Sequence, residues 1–114
     1  MMEELDLLSM VLPEGILDYF KVLKSAKSST LLEIWLEEKP VKSIDSTPVH
    51  SNGFYKSIIV KDFPIRSKPV HLHIRRRRWV DSVTNKSILR NWDLVASGSR
   101  MTVEFATFLK GVPR

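Results

Sequence analysis

The stretch His71 to Trp79, HLHIRRRRW, restricts what this chain can fold into more than any other segment. Read as a strand, it sets Val70, Leu72, Ile74, Arg76 and Arg78 on one face and His71, His73, Arg75, Arg77 and Trp79 on the other. The first face is apolar only as far as Ile74. Beyond it both faces carry guanidinium groups, and four consecutive cations repel one another unless water, carboxylates or a polyanion neutralise them. Two outcomes meet that demand: a solvated strand end with each arginine in a surface ion pair, or a ribbon that faces phosphates.

The charge distribution bears on this choice. Residues 1–59 hold 6 lysines and arginines against 9 aspartates and glutamates, whereas residues 60–114 hold 12 against 4. Such asymmetry points to a polyanionic partner for the second half. A chain of 114 residues, 43% hydrophobic, suits one modest domain and is too short to add a large enzyme fold to a recognition module. The absence of cysteine excludes disulfides, thiolate metal sites and a cysteine nucleophile. The acidic start MMEELD is unlike a signal peptide, and no apolar run is long enough to cross a bilayer, so the expected location is cytoplasmic, with no membrane partner.

Along the chain, Glu3, Glu4 and Asp6 precede Leu5, Leu8 and Leu12, the pattern of a helix start with a leucine stripe. Pro13 ends that helix and can open a second, whose apolar positions are Ile16, Leu17 and Phe20. Alternation then predicts a hairpin, with Phe20, Val22 and Ala26 in its first strand, a polar break at Lys27 to Ser29, and Leu32, Ile34 and Leu36 opposite Glu33, Trp35 and Glu37. Residues 39–53 read as a connecting loop, with Asn52 and Gly53 as a turn. A strand through Ile58 to Val60, a tight turn near Ser67, the arginine strand to Arg78 and a return through Ile88 to Leu94 predict a basic three-stranded meander. Thr102 as N-cap, the stripe Phe105, Phe108 and Leu109, and the stop at Gly111 and Pro113 predict a terminal helix. The expected class is α+β: a helix-and-hairpin subdomain at 1–38, a loop at 39–53, and a basic β-ribbon with a short helix at 54–114.

The run VKDFPIRSKPVHLHIRRRRW, followed by Asn91 and Trp92 and by SRMTVEFATFLK from Ser99 to Lys110, resembles the N-terminal region of ISAon-type insertion-sequence transposases. More distantly it is similar to the zinc-ribbon N-terminus of larger bacterial transposases. Asp62, Pro64, Arg76, Arg77, Arg78, Trp79 and Thr102 carry the resemblance, which spans Phe54 to Lys110. In the zinc-ribbon relatives a cysteine pair falls just after the aromatic, where this chain reads VDSVTNKS. The departure rules out a tetrathiolate zinc site and implies a ribbon held by packing, with Trp79 and Trp92 available for it. The resemblance implies recognition of transposon-end DNA in cooperation with a separate DDE-type catalytic domain, so this portion is expected to be non-enzymatic.

Duplex DNA suits such a ribbon, since two strands fit a major groove where arginine can donate two bonds to one guanine. Arg75 and Arg77, on the face of His71 and His73, are the first choice for base contact. Arg76 and Arg78 are expected to reach the backbone or pair with Asp62 or Asp93, while Lys61, Arg66, Lys68, Lys86, Arg90 and Arg100 extend the footprint. A metal site at His71 and His73 with His50 lacks further defined ligands. The carboxylates Asp62, Asp81, Asp93 and Glu104 read as ion-pair partners rather than a hydrolytic centre. No cofactor is expected. Two other readings stay open: a protein-interaction module using Trp35 and the final phenylalanines to dock the catalytic subunit or a second copy, and an RNA-binding protein, although few aromatics flank the arginines in sequence.

Overall fold

The computed structural model describes Leu12 and residues 15–92. Among these, the one helix described over its whole span is a single turn, α1 (Ile16–Tyr19), and Trp92, the last of them, is also helical; the rest of the regular structure is strand. The α+β expectation is therefore corrected to a mostly β architecture. The predicted stripe Ile16, Leu17 and Phe20 stops after one turn because Phe20 is already extended, with φ −129° and ψ 145°. From there the β-compatible alternation takes over. The leucine helix before Pro13 and the terminal helix at Thr102 to Lys110 lie outside the described residues.

Two four-stranded sheets follow. The first contains β1 (Phe20–Lys27), β2 (Leu32–Glu38), β5 (Ile58–Ile65) and β6 (Lys68–Arg75), in the order β1-β2-β6-β5. The β1–β2 and β5–β6 pairs are antiparallel, whereas β2 and β6 run parallel at its centre. Ile34 lies beside Leu72, which lies beside Val60, and Leu36, Ile74 and Ile58 form the next row. These rows, with Phe20 and Val70, close against Leu12, Ile16 and Trp92 to make the core. Trp92 stacks on Phe20 at 5.5 Å between ring centroids.

The second sheet holds β3 (Ser43–Ile44), β4 (Thr47–Phe54), β7 (Arg77–Asp81) and β8 (Ser87–Ile88), in that order and antiparallel throughout. Much of the segment expected to be a connecting loop is thus the β3–β4 hairpin, whose two central residues, Asp45 and Ser46, have φ of 50° and 68°. That is the signature of a two-residue hairpin turn, for which aspartate is suited. Gly53, at φ 80°, makes no chain reversal. It sits where the β4–β7 register slips between Ser51 and Phe54, a bulge that needs glycine's freedom.

The predicted meander is also corrected. The arginine strand is split at Arg76 into β6 and β7, and each part belongs to a different sheet. Buried residues alternate at Val70, Leu72, Ile74 and Arg76, then become adjacent at Trp79 and Val80, so the strand changes phase as it changes sheet. The other strand bends alongside: β4 passes into β5 through Tyr55 to Ser57, and the Tyr55 amide donates to the Arg76 carbonyl at 2.8 Å. Two antiparallel strands thereby run through both sheets and bend together.

The turn after β7 is built on Asp81, whose carboxylate accepts from the amides of Thr84 at 3.1 Å and Val83 at 2.8 Å. These bonds, the Thr84 amide foremost, hold its pKa below the ordinary carboxylate value. A depressed folded value means that the turn is stabilised above the ordinary carboxylate pKa and loses that support as pH falls through the folded one. The amide resonances of Val83 and Thr84 are expected to shift together on acid titration, and Asp81→Asn to remove that shift. Unchanged Val83 and Thr84 amides over the same range would contradict this.

Candidate nucleic-acid interface

The four arginines fall at the bend between the sheets, and their alternation is conserved in what they touch. Arg75 and Arg77 lie over the ring of Phe54, with guanidinium carbons 3.9 and 4.8 Å from its centroid. Arg76 and Arg78 each lie 5.3 Å from the centroid of Tyr55. Successive residues of β4 and the following linker thus serve opposite faces of the arginine strand, at distances where a ring's π face attracts a cation. In sequence the aromatics flanking the arginines are Trp79 and Trp92. The relevant pair, Phe54 and Tyr55, comes from the neighbouring strand.

The negative charge comes from the end of β2. Glu38 is 1% exposed, a position where an isolated carboxylate would be strongly disfavoured. Its two oxygens accept from the Arg77 amide at 2.9 Å, the Trp79 indole at 3.0 Å and the Arg90 guanidinium at 2.7 Å. The Glu38 carbonyl accepts from Arg77 Nε at 2.7 Å. One residue of the first sheet therefore holds the start of β7 in the second. Its neighbour Glu37 takes Arg75 at 3.1 Å and Lys21 at 3.5 Å, with Arg77 at 3.8 Å. Adjacent acids ending an apolar strand were the available sequence signal for this role.

The expected contact residues therefore divide. Arg77 is tied to Glu37, Glu38 and, through Nη1, to Ser51 at 3.1 Å. Arg90 is held by Glu38 and lies over Tyr19 and Trp92. Arg76 is buried at the bend. Arg75 keeps 46% of its side-chain surface while paired with Glu37, and Arg78 is exposed. His73 bonds Glu33 at 2.7 Å and stacks on Trp35 at 4.5 Å, with Lys24 4.5 Å from the same indole. Trp35 is thus engaged by its own sheet. His71 is partly exposed beside Lys61. His50 lies on the second sheet against Ser82, and no cluster of three or more metal-ligating side chains occurs among the described residues. Arg100 is outside them.

A different set of cations is left over. Residues 15–92 contain 15 lysines and arginines against 7 aspartates and glutamates, and Glu33, Glu37, Glu38 and Asp81 are already engaged as described. Lys61, Arg66, Lys68, Arg78 and Lys86 meet no carboxylate among the described residues. Lys61, Arg66 and Lys68 share one hairpin, β5–β6, with Arg66 at its turn. No helix among the described residues is long and apolar enough to cross a membrane. The chain matches no protein-family model, no curated protein and no solved structure.

Removing the charge of the buried latch with Glu38→Gln is expected to cost about 3–5 kcal/mol, because it leaves the Arg90 guanidinium facing an uncharged group in a buried site. Arg75→Ala, at a half-exposed pair, is expected to cost at most about 1 kcal/mol. Urea unfolding of the two variants measures both. Equal costs would show that Glu38 is no more important to the fold than a surface ion pair.

Proposed function

We propose that this chain is the DNA-binding N-terminal module of an insertion-sequence transposase and that it recognises transposon-end duplex DNA. The observation that carries the reading is the β5–β6 hairpin, where Lys61, Arg66 and Lys68 project with no carboxylate of their own among the described residues. Arg75, Arg77 and Arg90 are matched by Glu37 and Glu38, whereas these three cations share one arm with no carboxylate partner among the described residues, an arrangement that adds nothing to stability. Phosphate oxygens are the ligands that such a cluster suits, and counterion release supplies the affinity. The transposase resemblance supports the same reading, because its segment VKDFPIRSKP is this hairpin.

On this reading the arginine run has a supporting role. Arg77 and Arg90 fix the bend, while Arg78, Lys86 and the half-exposed Arg75 widen the basic surface toward the backbone. The cleavage and joining chemistry belongs to a DDE-type catalytic domain, with which this module works on the same DNA.

Fluorescence anisotropy with a labelled duplex tests the assignment. The native chain is expected to bind with an affinity that falls steeply with salt, and the triple variant Lys61→Ala, Arg66→Ala, Lys68→Ala is expected to reduce the slope of log K against log salt by about 3. If the triple variant bound duplex with unchanged affinity and slope, the hairpin would not be the DNA contact.

A further inference from the structure

We infer that the tip of the β5–β6 hairpin enters the minor groove of duplex DNA, with Arg66 as the inserted side chain. This rests on the duplex-binding reading above and specifies the groove and the reader. The sequence pattern alone favoured the major groove, read by Arg75 and Arg77. Those side chains are occupied by Glu37, Glu38 and Phe54. The outer face of β6 therefore presents no unengaged guanidinium to guanine edges. Reading has to come from elsewhere on the ribbon.

The tip meets that requirement. β2 covers β6 only from Val70, which lies beside Leu32, so the turn and Lys68 extend past it as two strands alone. The β5–β6 register slips between Asp62 and Ile65, a bulge that twists the arm. Pro64 and Pro69 are both exposed, and with no N–H to donate they keep the edges of the arm from recruiting another strand. Ile65, immediately before the turn, packs against the core and fixes where the tip sits. The result is a narrow, held finger.

The turn itself is unusual for stability alone. Arg66 and Ser67 have φ of 50° and 68°, the same values as Asp45 and Ser46 in the β3–β4 turn. Aspartate and asparagine ease the left-handed conformation by local hydrogen bonding, and arginine has no such relief. A side chain kept at a strained position, exposed and with no carboxylate partner among the described residues, points to a role outside the fold. A lone arginine on a narrow tip fits the narrow, strongly negative minor groove of A·T-rich DNA. Lys61 and Lys68 behind it suit the phosphates of the groove walls.

Three duplexes that differ only in a central block of A·T, G·C or inosine·C pairs test the inference with the full chain. Inosine·C keeps the major-groove face of G·C and lacks the guanine amino group in the minor groove, so the two grooves are read separately. The expected order is A·T equal to inosine·C, both bound about tenfold more tightly than G·C. Arg66→Asn, which suits the turn and so preserves the fold, is expected to abolish that difference, and Arg78→Ala to retain it. Inosine·C bound like G·C, or a preference that survives Arg66→Asn, would overturn minor-groove insertion while leaving duplex binding intact. Failure to bind all three duplexes would remove the duplex reading and the inference with it.

Discussion

The buried carboxylate of Glu38 is the interaction on which the rest of this structure depends. It ends β2 in the first sheet and accepts from the backbone of Arg77, the indole of Trp79 and the guanidinium of Arg90, all beyond the point where the chain enters the second sheet. A buried charge is tolerable only when paired and hydrogen-bonded, and here both oxygens are occupied. The latch therefore demands a cation at a fixed position, which Arg90 supplies from outside the arginine run. The run contributes the Arg77 amide and an Arg77 side-chain bond to the Glu38 carbonyl.

The consequence for charge is a separation into two populations. Around the bend, carboxylates and aromatic faces neutralise the guanidiniums: Glu37 and Phe54 on one side of the strand, Tyr55 on the other. On the β5–β6 arm the cations stay uncompensated by any described carboxylate. The densest positive stretch in the sequence is thus more internally matched than the sparser one beside it. In the proposed function the first population builds the scaffold and the second meets the phosphates, so loss of a scaffold arginine and loss of an arm cation have different physical consequences.

What was legible in the sequence is what depends on local period. Ile34 with Leu36, and Val70 with Leu72 and Ile74, show period-two alternation, and their inward faces follow from it. A tight turn is likewise signalled by Ser67, Lys68 and Pro69, although its two central residues are Arg66 and Ser67, and Lys68 and Pro69 already belong to β6. What could not be read is long-range. The parallel pairing of β2 with β6 joins residues nearly forty positions apart, and nothing local in either strand indicates a parallel partner. The stripe Ile16, Leu17 and Phe20 fits a helix as well as the end of a turn entering a strand, and tertiary packing of Phe20 decided between them. Residues 39–53 lack apolar period because β3 is only two residues long and β4 is bulged, with Val49 its one buried residue. The arginines were visible as a problem of repulsion, but the identity of their partners, Glu37, Glu38, Phe54 and Tyr55, emerges only once β2 and β4 are placed beside them.

A two-dimensional amide spectrum recorded while duplex DNA is added tests the division between scaffold and arm most directly, because Trp79 carries a reporter inside the latch. The amides of residues 61–63 and 65–68 are expected to shift progressively with DNA, while the Trp79 indole N–H, held by Glu38 at 3.0 Å, stays where it is. Movement of the Trp79 indole and the Arg77 amide with DNA, and stationary amides at residues 61–63 and 65–68, would contradict this and return the arginine run to the position of primary contact.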